Sequence, residues 1–374
     1  MRILILANVP PGAIGGAEVQ ALRLARCWAA TGHPVIIAGP ENLPNEDVGL
    51  SVLRTPLLRR TRILRGFSYA ITIMWFLWSR RRDYDLIYCR FLKEQAFVAA
   101  LARQLFRLKQ PLVACPACSG DIGDVAWIKK SPLRGLLLGT FSRGISCINA
   151  MSRNIQQEIS DLGLSRPRLS TLPNGVTVPA IIFGREDDNS FLRAIFVGRL
   201  VRQKGLDILL NAVAMLRHNR QCLEIMIVGD GPLRAELEVL KDTLGLSETV
   251  HFAGAVPPEK IPELLSYANI FVLPSRHEGM PGVVLEAIAQ GLPAIVTRCG
   301  GAEIVDESIG WVVPTENTVA LAGALDAAIA LGPVSLRIMG ERAHEKARRN
   351  YESGSIAERH IELFKELIAA SCTE

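Results

Sequence analysis

The sequence of 374 residues contains no run of eighteen or more apolar residues, so no transmembrane helix is expected. The apolar opening, Met1 to Leu6, soon gives way to Asn8, Pro10, Pro11 and Gly12. That is too short for the h-region of a secretory signal. There is no G-x-G-x-x-G, which argues against a nicotinamide dehydrogenase. No second C-x-x-C accompanies Cys115-Pro-Ala-Cys118, so a structural zinc site would lack half its ligands. That leaves core thiols or a redox pair as its readings. The eight cysteines are scattered and mostly flanked by apolar residues, as in a chain kept reduced in the cytosol. The six histidines show no metal-ligand spacing. His33 and His251 adjoin strands and read as structural, and only His277, beside Glu278, has a local claim to a site. No simple repeat is present.

What remains is an ordinary globular composition, 49% apolar and 21% charged, long enough for two domains. The net charge of +5 hides an asymmetry. Residues 1–180 hold 23 Lys+Arg against 11 Asp+Glu, a net of +12; residues 181–374 hold 19 against 26, a net of −7. One half is therefore expected to meet an anionic surface or ligand. Arg54, Arg59, Arg60, Arg62, Arg65, Arg80, Arg81 and Arg82 bracket the apolar stretch Phe67 to Trp78. As a helix that stretch is about 18 Å long, too short for a bilayer core of about 30 Å. It reads either as a core helix with solvated ends or as an interfacial segment of the Arg59–Arg82 region resting on anionic lipid. Nucleic acid is not expected, because the patch lacks a groove-reading module.

Short apolar runs alternate with helical segments. Arg2 to Asn8, Val35 to Ala38, Asp85 to Tyr88 and Leu112 to Ala114 read as buried parallel strands. Ala21, Leu24, Ala25 and Trp28 follow helical spacing between the first two, with Gly32 as the stop. In the second half, strands at 194–197, 223–228, 250–253, 270–273 and 294–297 alternate with helices at 206–216, 232–243, 259–268 and 282–290. This predicts two doubly wound parallel-sheet α/β domains, with ligands at the carboxyl ends of the strands. The polar stretch Gly184 to Ser190 is the expected linker. We expect an amino-terminal domain over 1–180, a carboxyl-terminal domain over 190–354, and a final helix at about 355–374.

Glu278-Gly279-Met280-Pro281-Gly282-Val283-Val284-Leu285-Glu286 is the most informative stretch. Leu273-Pro-Ser275 ends a strand, and Pro281 suits the first turn of a helix that Gly291 stops. Unpaired N–H groups from about Met280 to Val284, with the helix dipole, form a ready phosphate site. Glu278 and Glu286 flank it and suit sugar hydroxyls. Arg199 and Lys204, in the loop after the strand ending at Val197, can neutralise a diphosphate. Gly15 and Gly16 let backbone N–H groups approach a phosphate where the first strand meets the first helix. Gly229-Asp-Gly-Pro232 reads as a strand-to-helix turn. Asp83-Tyr-Asp85 spells D-x-D, but before its strand, away from the expected cleft.

Taken together these residues resemble the retaining GT-B glycosyltransferases of family 4, the glycosyl transferases group 1. The similarity covers almost the whole chain. It rests on the E-x7-E block with Pro274-Ser275 before it and Gly291-Leu-Pro293 after it, and on Phe196-Val-Gly-Arg-Leu200 with Lys204. Gly229-Asp-Gly-Pro232, Phe252-x-Gly254, Gly300-Gly-Ala-Glu303, Pro173-Asn-Gly-Val176 and Gly15-Gly-Ala-Glu18 add to it. The resemblance implies two Rossmann-like domains facing a cleft, the second binding a nucleotide-sugar donor and the first a glycan, lipid-linked or small-molecule acceptor. Glu278 would bind donor-sugar hydroxyls and Glu286 the ribose. Arg199 and Lys204 would hold the diphosphate, helped by N–H groups of Gly16, Val283 and Val284, and the last helix would cross back onto the first domain. Arg199, Lys204 and Glu278 are the expected catalytic residues, with no cofactor and no metal. The family often carries a histidine in the amino-domain loop that here reads Cys115-Pro-Ala-Cys-Ser-Gly-Asp121. Ser119 and Asp121 are its acceptor-side candidates. A cytoplasmic enzyme, in solution or peripheral on the inner membrane face, is the expectation. The alternatives are another GT-B enzyme such as a nucleotide-sugar epimerase, and a non-catalytic sugar-nucleotide or membrane-binding protein.

Overall fold

The structure is a computed structural model that describes residues 1–6, 15–39, 50–54, 62–180, 191–216 and 220–373. The expected linker at 184–190, the loop residues 10–14, and Arg59 and Arg60 lie outside the described residues. The chain divides into two compact units, Met1–Gly175 with Ser353–Glu374, and Val176–Glu352.

The first unit runs β1 (Ile3–Leu6), α1 (Gly16–Ala30), β2 (Val35–Gly39), β3 (Leu50–Arg54), α2 (Arg62–Ser79), β4 (Leu86–Arg90), α3 (Glu94–Phe106), β5 (Leu112–Cys115), α4 (Asp124–Lys130), α5 (Arg134–Gly144), β6 (Cys147–Asn149), α6 (Arg153–Asp161) and β7 (Arg168–Ser170). Its seven strands lie in the order β3-β2-β1-β4-β5-β6-β7, all parallel. Ile3 of β1 pairs with Val35 on one side and Leu86 on the other. All four residues of β1 and all five of β4 are buried, because helices cover both faces. Strands β6 and β7, three residues each, are too short to carry a periodic signal.

The second unit runs β8 (Leu192–Val197), α7 (Leu206–Met215), β9 (Leu223–Val228), α8 (Arg234–Thr243), β10 (Val250–Gly254), α9 (Ile261–Tyr267), β11 (Ile270–Leu273), α10 (Gly282–Ala289), β12 (Ala294–Thr297), β13 (Gly310–Val313) and α11 (Thr318–Tyr351). The strand order is β10-β9-β8-β11-β12-β13, again all parallel. Helix α11 is long and apolar enough to cross a membrane by length and composition. It packs on α7 and α10, and it breaks at Gly332 (φ 72°, ψ 169°) beside Pro333. Asn317 caps its start by accepting from the Ala320 N–H at 2.9 Å.

The last helix, α12 (Ser353–Thr373), belongs to the first unit and packs on α1. Trp28 of α1 donates its indole N–H to the carbonyl of Ala357 at 3.3 Å. Its ring also sits edge-on to Phe364 at 5.3 Å and to Tyr88 of β4 at 5.4 Å. Where the chain leaves and re-enters the first unit, a Cβ on Gly175 would lie 2.9 Å from the Cα of Ser353, and within the second unit Val176 N–H donates to Tyr351 O at 2.7 Å.

Candidate active site

In each unit the strand order reverses beside the first strand, and the loops leaving the two strands on either side of that point open a crevice at the carboxyl edge. In the second unit these are the loops after β8 and after β11. Lys204 lies in the first and Glu278 in the second. Seventy-four positions apart in sequence, they meet with Lys204 Nζ at 2.6 Å from Glu278 Oε1. The side chains are only 16% and 9% exposed, so water screens the pair poorly. Ser275, fully buried, donates its hydroxyl to the same Oε1 at 2.7 Å. Thr297 at the end of β12 donates to the Ser275 carbonyl. Beneath them burial raises the Cys299 thiol to about 12, with the nearby Glu278 charge adding to the rise.

Close backbone packing holds the two loops together. Gly205 has φ of +65°, and a Cβ there would lie 2.1 Å from the Pro274 carbonyl oxygen. Gly300 lies so near Glu278 that a Cβ would meet the Glu278 carbonyl at 2.0 Å. Arg276 anchors the shelf from outside, its fork on both oxygens of Asp207 (2.8 and 2.7 Å), with Glu316 on its other edge and the Arg202 carbonyl at 2.7 Å. These carboxylates raise the Arg276 pKa, and the Arg276 guanidinium in turn holds Asp207 below its ordinary value, the Asp207–Arg276 hydrogen bonds being the first cause of each. Gln203 donates to the carbonyl of His277 at 2.7 Å, so it is the backbone of His277 that ties the loops together.

Helix α10 starts at Gly282, with Pro281 in extended conformation as its cap residue rather than in its first turn. Pro281 has no N–H, and that of Val284 donates to the Pro281 carbonyl at 3.2 Å. The set of unpaired N–H groups is therefore narrower than the expected 280–284: those of Gly282 and Val283 are without a partner among the described residues. Gly279 and Met280 are buried in the preceding turn. Glu286 is half-buried one turn into α10. Arg199 is exposed after β8, with no side-chain partner among the described residues. A cavity of about 750 Å³ lined by Arg298, Asp306, Trp311 and Val313 lies elsewhere in this unit, and none of the expected donor-binding residues lines it.

In the first unit the corresponding loops follow β1 and β4. Gly15 is the extended cap residue of α1, and Gly16, exposed, begins the helix. Arg90 ends β4 and is fully buried without a carboxylate in ion-pair range among the described residues. Its guanidinium donates to Asn174 Oδ1 at 2.8 Å and to the Tyr88 hydroxyl and Cys115 Sγ at 3.4 Å each. Phe91, next in sequence, has φ of +83°. Asp124, also fully buried, gathers the N–H groups of Leu92 (2.8 Å), Ala117 (3.0 Å) and Cys118 (3.3 Å), clasping the loops after β4 and β5. Desolvation raises its pKa against the pull of Lys93 and these donors. In the clasped loop Ser119 is buried and Asp121 is exposed. Neither Cys115 nor Cys118 forms a disulfide. Sequence reasoning missed Arg90, Asp124 and Arg276; a charged residue closing an apolar run was the only local signal for Arg90. The D-x-D motif sits at the amino edge of the sheet, where Asp83 pairs with Arg80 (3.0 Å) and Asp85 with Arg2 (2.7 Å).

Two parallel-sheet Rossmann-like units, the second with a cation–carboxylate pair beside a helix start at its switch point, define the GT-B fold of sugar-transferring enzymes. The family models agree: residues 181–349 match the glycosyl transferases group 1 and residues 15–175 a glycosyl transferase 4-like domain. The chain belongs to this family of glycosyltransferases. It is 27% identical over 364 residues to an uncharacterized glycosyltransferase of Methanocaldococcus jannaschii, covering 87% of this chain and 88% of that one. It is 30% identical over 201 residues to the putative colanic acid biosynthesis glycosyltransferase WcaL of Escherichia coli, covering 52% and 47%. Among solved structures, Anabaena HepE in complex with UDP superposes with a TM-score of 0.77 at 20% identity, over 98% of this chain and all of that one.

Proposed function

We propose that this glycosyltransferase moves a sugar from a nucleotide-sugar donor to a glycan or lipid-linked acceptor, with retention of configuration and without a metal, at the cytoplasmic face of a membrane. The observation that carries the donor half is the 2.6 Å Lys204–Glu278 pair at the switch point beside the start of α10. The Gly282 and Val283 N–H groups, Lys204 and Arg199 supply fixed positive charge for a diphosphate. Glu278, charge-paired to Lys204 and held by Ser275, presents a carboxylate edge to sugar hydroxyls. Glu286, farther into α10, would take the ribose hydroxyls. As the bond from the anomeric carbon to the diphosphate oxygen breaks, the diphosphate keeps the electron pair. Fixed cations stabilise that charge more in the transition state than in the ground state. The acceptor oxygen bonds to the same face, and its proton goes to the departing phosphate oxygen. Metal independence is supported by the D-x-D carboxylates, both committed to arginines.

UDP-glucose is the first donor to test, since a structural relative is known in complex with UDP. Slow release of UDP from UDP-glucose, undiminished by excess chelator, is expected. Thermal stabilisation by UDP-glucose with no release under any condition would make the protein a binder rather than an enzyme. Loss of turnover on chelation, restored by magnesium or manganese, would overturn the metal-free mechanism.

A further inference from the structure

Helix α2 is apolar on both faces, a pattern that ordinarily places a helix inside a core. Only one face has a core to lie in. Ile73, Phe76 and Leu77 are buried against the sheet, whereas Phe67 (68% exposed), Ile71 (62%), Trp75 (63%) and Trp78 (46%) point away from it. Their spacing of four, four and three residues makes one stripe along the helix. The stripe continues onto α3: the Trp78 and Phe106 rings lie 6.3 Å apart, and Leu105 beside Phe106 is 61% exposed. Monomeric proteins seldom leave such a contiguous apolar ledge in water.

The rim of the ledge is basic. Arg80, Arg81 and Arg82 follow α2 and are exposed, and Arg107 and Lys109 follow Phe106 and are exposed as well. The two turns are joined, since Gln110 donates its amide to the Arg81 carbonyl at 2.5 Å. The Arg81 guanidinium stands 5.3 Å over the Trp78 ring. Asp83 is committed to Arg80, and Asp85 to Arg2. We propose that this ledge is an in-plane docking surface for an anionic lipid bilayer, with Phe67, Ile71 and Trp75 in the acyl boundary and the five cations among the headgroups. From residue 67 to 78 the stripe is about 16 Å long, which suits a helix lying in the interface and not one crossing it. Tryptophan flanked by arginine is the residue pair of that depth. A second copy of the chain fits the ledge poorly, because a two-fold contact would set the same five cations against themselves.

The inference rests on the proposed function only in naming the surface where the enzyme works. Its test uses neither donor nor acceptor, so it stands or falls apart from glycosyl transfer. The full chain is sedimented with vesicles of phosphatidylcholine alone or with one third phosphatidylglycerol. Binding to the anionic vesicles is expected to be stronger by at least about tenfold, and to weaken by about as much when salt rises from about 0.05 to 0.3 M. The double variant Ile71→Gln with Trp75→Gln, at exposed sites, is expected to lose about tenfold in binding at unchanged thermal unfolding, and so is Arg80→Gln with Arg81→Gln and Arg82→Gln. Equal binding to both vesicles, or none to either, overturns the proposal. So does a dimer in solution that the Ile71→Gln/Trp75→Gln variant dissociates, which would assign the ledge to a second copy.

Discussion

Lys204 and Arg199 carry the same charge in the same loop, yet their surroundings separate their contributions. Arg199 is exposed and contributes nothing to packing that its loss would disturb. Arg199→Ala should leave the denaturant midpoint within about 0.5 kcal/mol of the parent. It should lower kcat/KM by an amount equivalent to about 2–4 kcal/mol, the cost of losing one preorganised donor to developing charge. Lys204→Met should cost activity and also stability, by roughly 3 kcal/mol, because it strands the nearly buried carboxylate of Glu278 with Ser275 as its remaining named donor. Urea melts beside initial rates for the two variants check the contrast. An Arg199→Ala enzyme within threefold of the parent in kcat/KM would remove that residue from the mechanism.

At the scale of elements, α12 owes its seat to an aromatic cluster that contains one imidazole. His360 is fully buried among Trp28 (5.8 Å), Tyr88 (6.3 Å) and Phe364 (5.8 Å), its Nδ1 on the Ile356 carbonyl at 2.8 Å. Burial lowers its pKa to about 4, with Arg90 and Arg359 adding to the drop. The unfolded chain takes up this proton near its ordinary value of 6.5, and the folded one only near 4. The contribution of His360 is therefore whole above pH 6.5 and is lost progressively as pH falls to about 4. At roughly 1.36 kcal/mol per pH unit the loss reaches about 3 kcal/mol. His360→Leu should flatten the fall in stability between pH 6.5 and 4, measured by urea unfolding at each pH. An unchanged slope would show that acid acts on α12 through some other group. The same cluster explains why a helix at the end of the chain folds with the first unit: β4, α1 and α12 each supply rings to it.

For the whole molecule, the two units repeat one topology and differ in what their switch points hold. The second unit offers Lys204, Glu278 and the start of α10. The first offers Gly15, Gly16, the buried Arg90 and the loop clasped by Asp124. A donor seated on the second switch point should stabilise the protein by mass action, about 2.7 kcal/mol at a hundredfold excess over Kd. Amide exchange in saturating UDP should slow at Gly282 and Val283, whose N–H groups would gain phosphate oxygens, and stay unchanged across α11. Protection confined to the edge near Trp311 would place the nucleotide in the cavity there instead.

The sequence by itself determined the alternation of buried strands and helices, since a parallel strand covered on both faces must be an apolar run and some helix stops are punctuated locally, as by Gly32 and Gly291. It also pointed to the loops to which we assign the chemistry, because Lys204 and the Glu278–Glu286 block each follow a legible strand end. The three-residue strands β6 and β7 carry too few residues for periodicity to show, and β13, at the edge of its sheet, has a half-buried centre and no fully apolar signature. Tertiary structure decided the rest. Whether Glu278 meets Lys204 depends on strand order and on where the sheet reverses, which no local pattern encodes. Asp85 became the partner of Arg2 because the turn before β4 lies at the amino edge, whereas Asp83 pairs locally with Arg80 three residues before it. Arg90 and Asp124 acquired their places only through burial between elements far apart in the chain. Helix α2 shows the difference most plainly: its composition alone fits a core or an interface. The packing of Ile73, Phe76 and Leu77 against the sheet leaves the opposite stripe in the open, since a helix on a sheet can bury only one side.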